Sequence, residues 1–113
     1  MAGIDKKNFD DPDEVEDYGA EGNSKRVTLG IADDSTLWRS SLLPGWSWMR
    51  NIKPNVSFET CPLHHREYVV SGRIRYTMND GSEVVGEPGD HLLIEPGHLA
   101  EVAGNEACIL LDW

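Results

Sequence analysis

The chain has 113 residues, room for one domain around one modest core. Hydrophobic residues make up 39% and the formal charge is -10; with no basic stripe to hold a phosphate backbone, nucleic acid is not an expected partner. No apolar run reaches the length of a membrane helix, so no membrane partner is expected either, and the two cysteines are too few for a disulfide framework.

The acids concentrate at the start. Residues 1–24 carry eight of them against Lys6 and Lys7, which predicts a solvated acidic lead-in, partly disordered or forming an edge strand. Within it, "DPDEVED" is the one place where a short helical turn is plausible, with Asp11 as cap and Pro12 at the first helical position. The opening "MAGIDKKNFDDPDEVED" lacks the apolar core of a secretory leader, so a cytoplasmic protein with reduced cysteines is expected.

From residue 25 onward the signals are those of a β domain. "KRVTLGI" (25–31) reads as a strand, and "STLWRSSLL" (35–43) alternates until "PG" stops it. "WSWMRNI" puts Trp46 and Trp48 on one face, and "VSFETC" (56–61) alternates up to Pro62. "EYVVSGRIRYTMNDGSEVV" is a hairpin centred on Asn79-Asp80-Gly81. "HLLIE" (91–95), "HLAEV" and the closing "ACILLDW" follow, separated by Pro-Gly and Gly-Asn turns. Nothing sustains a 3.6-residue apolar period, and strands spaced in this way predict an all-β sandwich or barrel.

One stretch concentrates chemistry. In "ETCPLHH", Glu59 and Cys61 are two apart and would share one face of a strand, with the bend at Pro62 letting His65 return to that face. A thiolate, an imidazole and a carboxylate brought together suit a divalent transition metal. His64 would face the other way, as a surface or supporting group. A fourth ligand must come from His91 or His98, which bracket "HLLIEPGH", and His91 reads as a surface residue. Glu59 can either ligate or accept a hydrogen bond from a ligating imidazole. Cys108 reads as core; a Cys61–Cys108 disulfide and a metal-bound Cys61 exclude each other.

At these residues the chain resembles the small single-domain cupins of the cupin-2 type. Their first motif is Gly-x5-His-x-His-x3,4-Glu-x6-Gly. Aligning its closing glycine with Gly72 puts His65, Cys61 and Glu59 on the three ligand positions, each with a changed identity. In the second motif, Gly-x5-Pro-x-Gly-x2-His, the histidine position falls on Ala100, and His98, two residues earlier on the same strand face, is the natural substitute. "GWSW", the Cys-x2-His-His element, "YVVSGRI", "NDGSE", "PGDHLLIEPGH" and "LLDW" extend the resemblance over residues 28–113. It implies a cupin jelly-roll β-barrel (a double-stranded β-helix). It also implies a divalent metal held by Cys61, His65 and His98 with Glu59 close by. Zinc suits these donors best, with iron, manganese or nickel also compatible. Two copies are expected to pair as a homodimer through an exposed sheet edge.

Function is less sharply drawn, since this fold hosts many reactions. An open metal position would polarise a small carbonyl, enol or carboxylate-bearing substrate while Glu101, Tyr68 or His64 moves a proton. The rivals are a non-catalytic small-molecule or metal binder and a barrel that uses the ion only as a staple. No phosphate-cradling loop, Gly-x-Ser-x-Gly elbow or calcium loop is present in the sequence.

Overall fold

The computed structural model describes residues 3–17, 23–31 and 34–113. The expected acidic lead-in therefore lies partly outside the described residues. Among those described, the strands are β1 (Glu14–Asp17), β2 (Ser24–Gly30), β3 (Thr36–Leu42), β4 (His65–Ser71), β5 (Arg73–Met78), β6 (Glu83–Gly86), β7 (His91–Ile94), β8 (His98–Ala103) and β9 (Cys108–Asp112). They form two antiparallel sheets, ordered β1-β2-β3-β9-β4-β7 and β6-β5-β8. No helix among the described residues is long and apolar enough to cross a membrane.

The core lies between the sheets. Leu42, Val69, Ile94, Cys108 and Leu110 from the larger sheet meet Ile74, Tyr76, Ala100 and Val102 from the smaller one. Val69 and Cys108 are fully buried, and a buried aliphatic side chain of the size of Val69 contributes about 1.5–3 kcal/mol. The period-2 pattern of each strand sets which residues point inward. On β4, His65, Glu67 and Val69 share the inward face; on β9, Leu110 and Asp112 do, through the pairs Glu67↔Asp112 and Val69↔Leu110. This all-β jelly roll is the architecture the sequence predicts.

The strand β4 ends in a bulge, where the pairing with β9 shifts between Val69 and Ser71 and leaves Val70 exposed. The chain then turns at Gly72, with φ of 71°, and passes into the other sheet as β5. The predicted Asn79-Asp80-Gly81 hairpin is present, with Gly81 at φ 87° and Ser82 held by Asp80 Oδ1.

Three local expectations fail. "DPDEVED" is not helical: Asp13 N–H donates to the Thr28 carbonyl and residues 14–17 pair with β2. A single isolated turn is marginal, and the open edge of β2 offers a full ladder instead. "WSWMRNI" contains a helix, α1 (Trp48–Asn51), rather than extended chain. Ser47 caps it by accepting from Arg50 N–H, and buried Asn51 accepts from the Ser47 N–H at 3.0 Å. "VSFETC" is not a strand either. It follows a 3-10 turn over Lys53–Asn55, and only Cys61 makes a β-bridge, to His98.

Gly72 tests how tightly the sheet-to-sheet corner is built. A Cβ there would stand 2.3 Å from the Ala107 carbonyl oxygen and 2.7 Å from Cys108 Cα, and the positive φ disfavours any L side chain. Gly72→Ala is expected to lower unfolding free energy by about 2 kcal/mol or more in urea titrations; a loss within experimental error would contradict the packing described.

Candidate metal centre

Cys61, His65 and His98 arrive from three different places in the fold. Cys61 sits in a loop fastened to the corner before β8: its N–H donates to the His98 carbonyl, and its carbonyl accepts from Gly97 N–H, both at 2.9 Å. His65 opens β4 on its inward face, and His98 opens β8. One ligand atom from each lies within 4.8 Å of the others. Cys61 Sγ is 3.8 Å from His65 Nε2, and the two imidazole rings meet edge-on with centroids 5.2 Å apart.

Each histidine has its other nitrogen engaged. His65 Nδ1–H donates to Asp112 Oδ2 at 3.1 Å, and His98 Nδ1–H donates to the Glu95 carbonyl at 2.7 Å. Such bonds fix the ring orientation and leave Nε2 as the atom that could coordinate, the usual arrangement around a metal-ligating histidine. His98 is 2% exposed, so its orientation is not a surface accident.

A second layer of acid lies behind His65. Glu67, buried on the same face of β4, accepts a hydrogen bond from the Tyr76 hydroxyl, and its other oxygen is 4.0 Å from His65 Nδ1. Burial pushes the Glu67 carboxyl up to about 7, against the Tyr76 hydrogen bond that would lower it. Burial and the neighbouring carboxylate hold the Tyr76 phenol well above its ordinary value. For His65, burial opposes the charged form, but the bonds to Asp112 and Cys61 prevail and hold it up to about 10. Burial likewise would raise the Cys61 thiol, yet hydrogen bonds from His65, His98 and the Leu63 N–H bring it down to about 6. Both shifts run in the direction that favours a thiolate beside an imidazolium.

These groups line one wall of a cavity of about 500 Å³, within the range of small-molecule sites. Trp38, Trp46 and Trp48 line it together with Leu42, Ile52 and Val56. The short helix that the sequence pattern hides is what turns Trp48 inward.

The other expected site residues fall elsewhere. Glu59 does not join the cluster: its side chain is 89% exposed and pairs with Lys53 Nζ at 3.3 Å, because the segment leading to it is not a strand. Glu101 points outward on β8 and binds Arg75 at 2.7 Å. Tyr68 is on the outward face of β4 and does not line the cavity. His64 does line it, from an exposed position. Glu67, Tyr76 and Asp112 are not singled out by the sequence pattern alone. The alternation of "HREYV" from His65 is the signal that places Glu67 beside it, and an aspartate in the apolar run "ILLDW" is the signal for Asp112.

No family model and no curated protein matches the chain. Solved structures match its fold. The polyketide cyclase RemF from Streptomyces resistomycificus is 18% identical, with a TM-score of 0.66 over 96% of this chain and 77% of that one. A cupin-like protein from Thermotoga maritima is 17% identical, with a TM-score of 0.58 over 91% and 79%. Fe(II)-HppE, solved with an alternative substrate, is 12% identical, with a TM-score of 0.65 over 97% of this chain and 59% of that one. The chain thus has the cupin jelly-roll fold.

The two thiols should differ sharply in reactivity. Burial pushes Cys108 up to about 12, so at pH 8 it is protonated, whereas Cys61, at about 6, is thiolate and lines the cavity. Chelator-treated native protein exposed to iodoacetamide at pH 8 is expected to carry the label on Cys61 and not on Cys108 by peptide mass spectrometry. Equal labelling of both would contradict the environments described.

Proposed function

We propose that this chain is a metal-binding cupin enzyme that acts on a small, largely apolar organic molecule by proton transfer next to a polarised oxygen, a reaction of the cyclase, isomerase or lyase type. The observation that carries the reading is the convergence of Cys61, His65 and His98 on the wall of an apolar cavity. The donor set suits an ion: one soft thiolate and two imidazoles, each imidazole with its Nδ1–H engaged and its Nε2 turned to the others. Zinc is the best match, since three N and S donors leave it one position for a substrate atom. When bound, the ion would supply Lewis-acid polarisation of a carbonyl, enol or carboxylate oxygen. That RemF is a polyketide cyclase and HppE was solved with Fe(II) and a substrate supports catalysis over mere storage.

The chain's own residues divide the work. The tryptophans hold the apolar body of the ligand and exclude water. Asp112 holds His65 in one orientation. Glu67, hydrogen-bonded to Tyr76 at the cavity wall, is the group placed to take up and return a proton, a role that Glu101 and Tyr68 cannot fill from the outer surface. His64 stands at the cavity as a second polar contact.

A second reading has one observation in its favour. Cys61, His65 and Asp112 stand in the order nucleophile, base and orienting carboxylate, with separations of 3.8 and 3.1 Å, which also suits thiol chemistry without an ion.

Metal content separates the two. Protein purified without a histidine tag is expected to hold about one zinc per chain by elemental analysis, and Cys61→Ser and His98→Ala to lose it. Asp112→Asn should weaken zinc binding by about 10–100-fold in a chelator competition while the fold, read by circular dichroism, persists. Absence of bound zinc even after zinc is supplied, with Cys61 alkylation unaffected by added zinc, would favour the thiol reading.

A further inference from the structure

The inner wall of the cavity carries one cation that stands out from its apolar surroundings. Among the described residues that line it, Arg26 is the one Lys or Arg. It lines the cavity from β2, and its guanidinium carbon lies over the Trp38 ring, 4.7 Å from the centroid, a cation–π contact that holds the group against the wall. Ser40, opposite Arg26 in the β2–β3 register, lines the cavity as well. On either side of Arg26 along the same face of β2, Ser24 and Thr28 carry buried hydroxyl oxygens with no hydrogen-bond partner. Neither of them lines the cavity, so the polar side chains of this part of the wall are those of Arg26 and Ser40.

Arg26 is met by a carboxylate. Its Nη2 lies 3.2 and 3.1 Å from the two oxygens of Glu16, which also lines the cavity. Glu16 belongs to β1, whose residues are all exposed, and the side chains of Arg26 and Glu16 are 30% and 45% accessible. A half-exposed ion pair of this kind is worth little. The guanidinium is thus set in place by Trp38 and holds a carboxylate that another can replace.

We propose that Arg26, stacked on Trp38, is an anion subsite of the cavity, and that the ligand is an aromatic or similarly flat apolar carboxylate whose carboxylate takes the place of Glu16. The inference rests on the reading of the cavity as the ligand site. A molecule of this class would lay its apolar body along Trp38, Trp46 and Trp48 and present a second oxygen function to the Cys61, His65 and His98 wall. Replacing one carboxylate by another leaves Arg26 paired throughout, so ligand entry strands no cation, and Glu16 is released toward solvent.

Two probes of matched shape test it: 1-naphthoate and the uncharged 1-naphthamide, titrated calorimetrically into the zinc-loaded full chain. Wild type is expected to bind the naphthoate about tenfold more tightly, and Arg26→Gln to remove that preference while still binding the amide. Glu16→Gln, which removes the competing carboxylate, is expected to tighten naphthoate about threefold and leave naphthamide unchanged. A naphthoate preference that persists in Arg26→Gln overturns the subsite, because the carboxylate is then held elsewhere. Should Arg26→Gln fail to fold, Glu16→Gln decides, and unchanged naphthoate affinity overturns the proposal. Equal affinities in wild type sink the anion subsite but leave the cavity as a ligand site; binding of neither probe sinks both.

Discussion

The candidate site depends on a pair of backbone hydrogen bonds. Cys61 donates to the His98 carbonyl and accepts from Gly97 N–H, an isolated bridge in the irregular stretch between the 3-10 turn and β4. Those bonds bring a thiol on a loop against an imidazole on a strand and hold it there. Side-chain attraction alone would have to offset the entropy of ordering several loop residues, at about 1–2 kcal/mol each for the backbone. The bridge shares that cost with the sheet, since β8 is anchored by its full pairing with β5.

Charge in this chain is arranged on two scales. Over the whole molecule it is strongly acidic, with a formal charge of -10. Between the sheets the acids are few, and each is bound to a particular neighbour. Asp112 orients His65, and Glu67 accepts the Tyr76 hydroxyl. Buried carboxylates at this separation from an imidazole favour its charged form, and the imidazole in turn favours the thiolate. The series from Asp112 through His65 to Cys61 therefore acts as one polarised unit. It explains why the Cys61 thiol is drawn toward the thiolate in a place where burial by itself would raise it, as burial raises Cys108.

Much of this is legible in the sequence, for identifiable reasons. Alternation and turn residues locate the extended stretches from β2 to β9, because period-2 burial and Gly-rich turns are local properties, but they run β4 and β5 together across Gly72, where the chain passes from one sheet to the other. Counting back from Gly72 finds Cys61 and His65, since that glycine is forced by the close approach of Ala107 and so marks a fixed point in the register. Pattern misleads where local alternation and tertiary pairing part. Glu59 alternates as a strand residue would, but of its segment only Cys61 finds a pairing partner, in the bridge to His98. The helix Trp48–Asn51 is too short to show a helical period, and its Trp-x-Trp spacing imitates a strand. Asp112 meets His65 across 47 residues, through a β4–β9 register that no local signal sets.

The placement of β9 bears on the order in which this molecule can be built. It lies between β3 and β4, so the β1-β2-β3 meander and the β4-β7 pair belong to one sheet only once this strand is seated. It also carries Asp112. Closing the sheet and orienting His65 thus depend on the same long-range pairing, of a kind that forms slowly compared with local hairpins. A nascent chain emerging before that strand would display Cys61 and both histidines without the carboxylate that aims one of them. It would be a poor trap for stray ions until the last strand locks in.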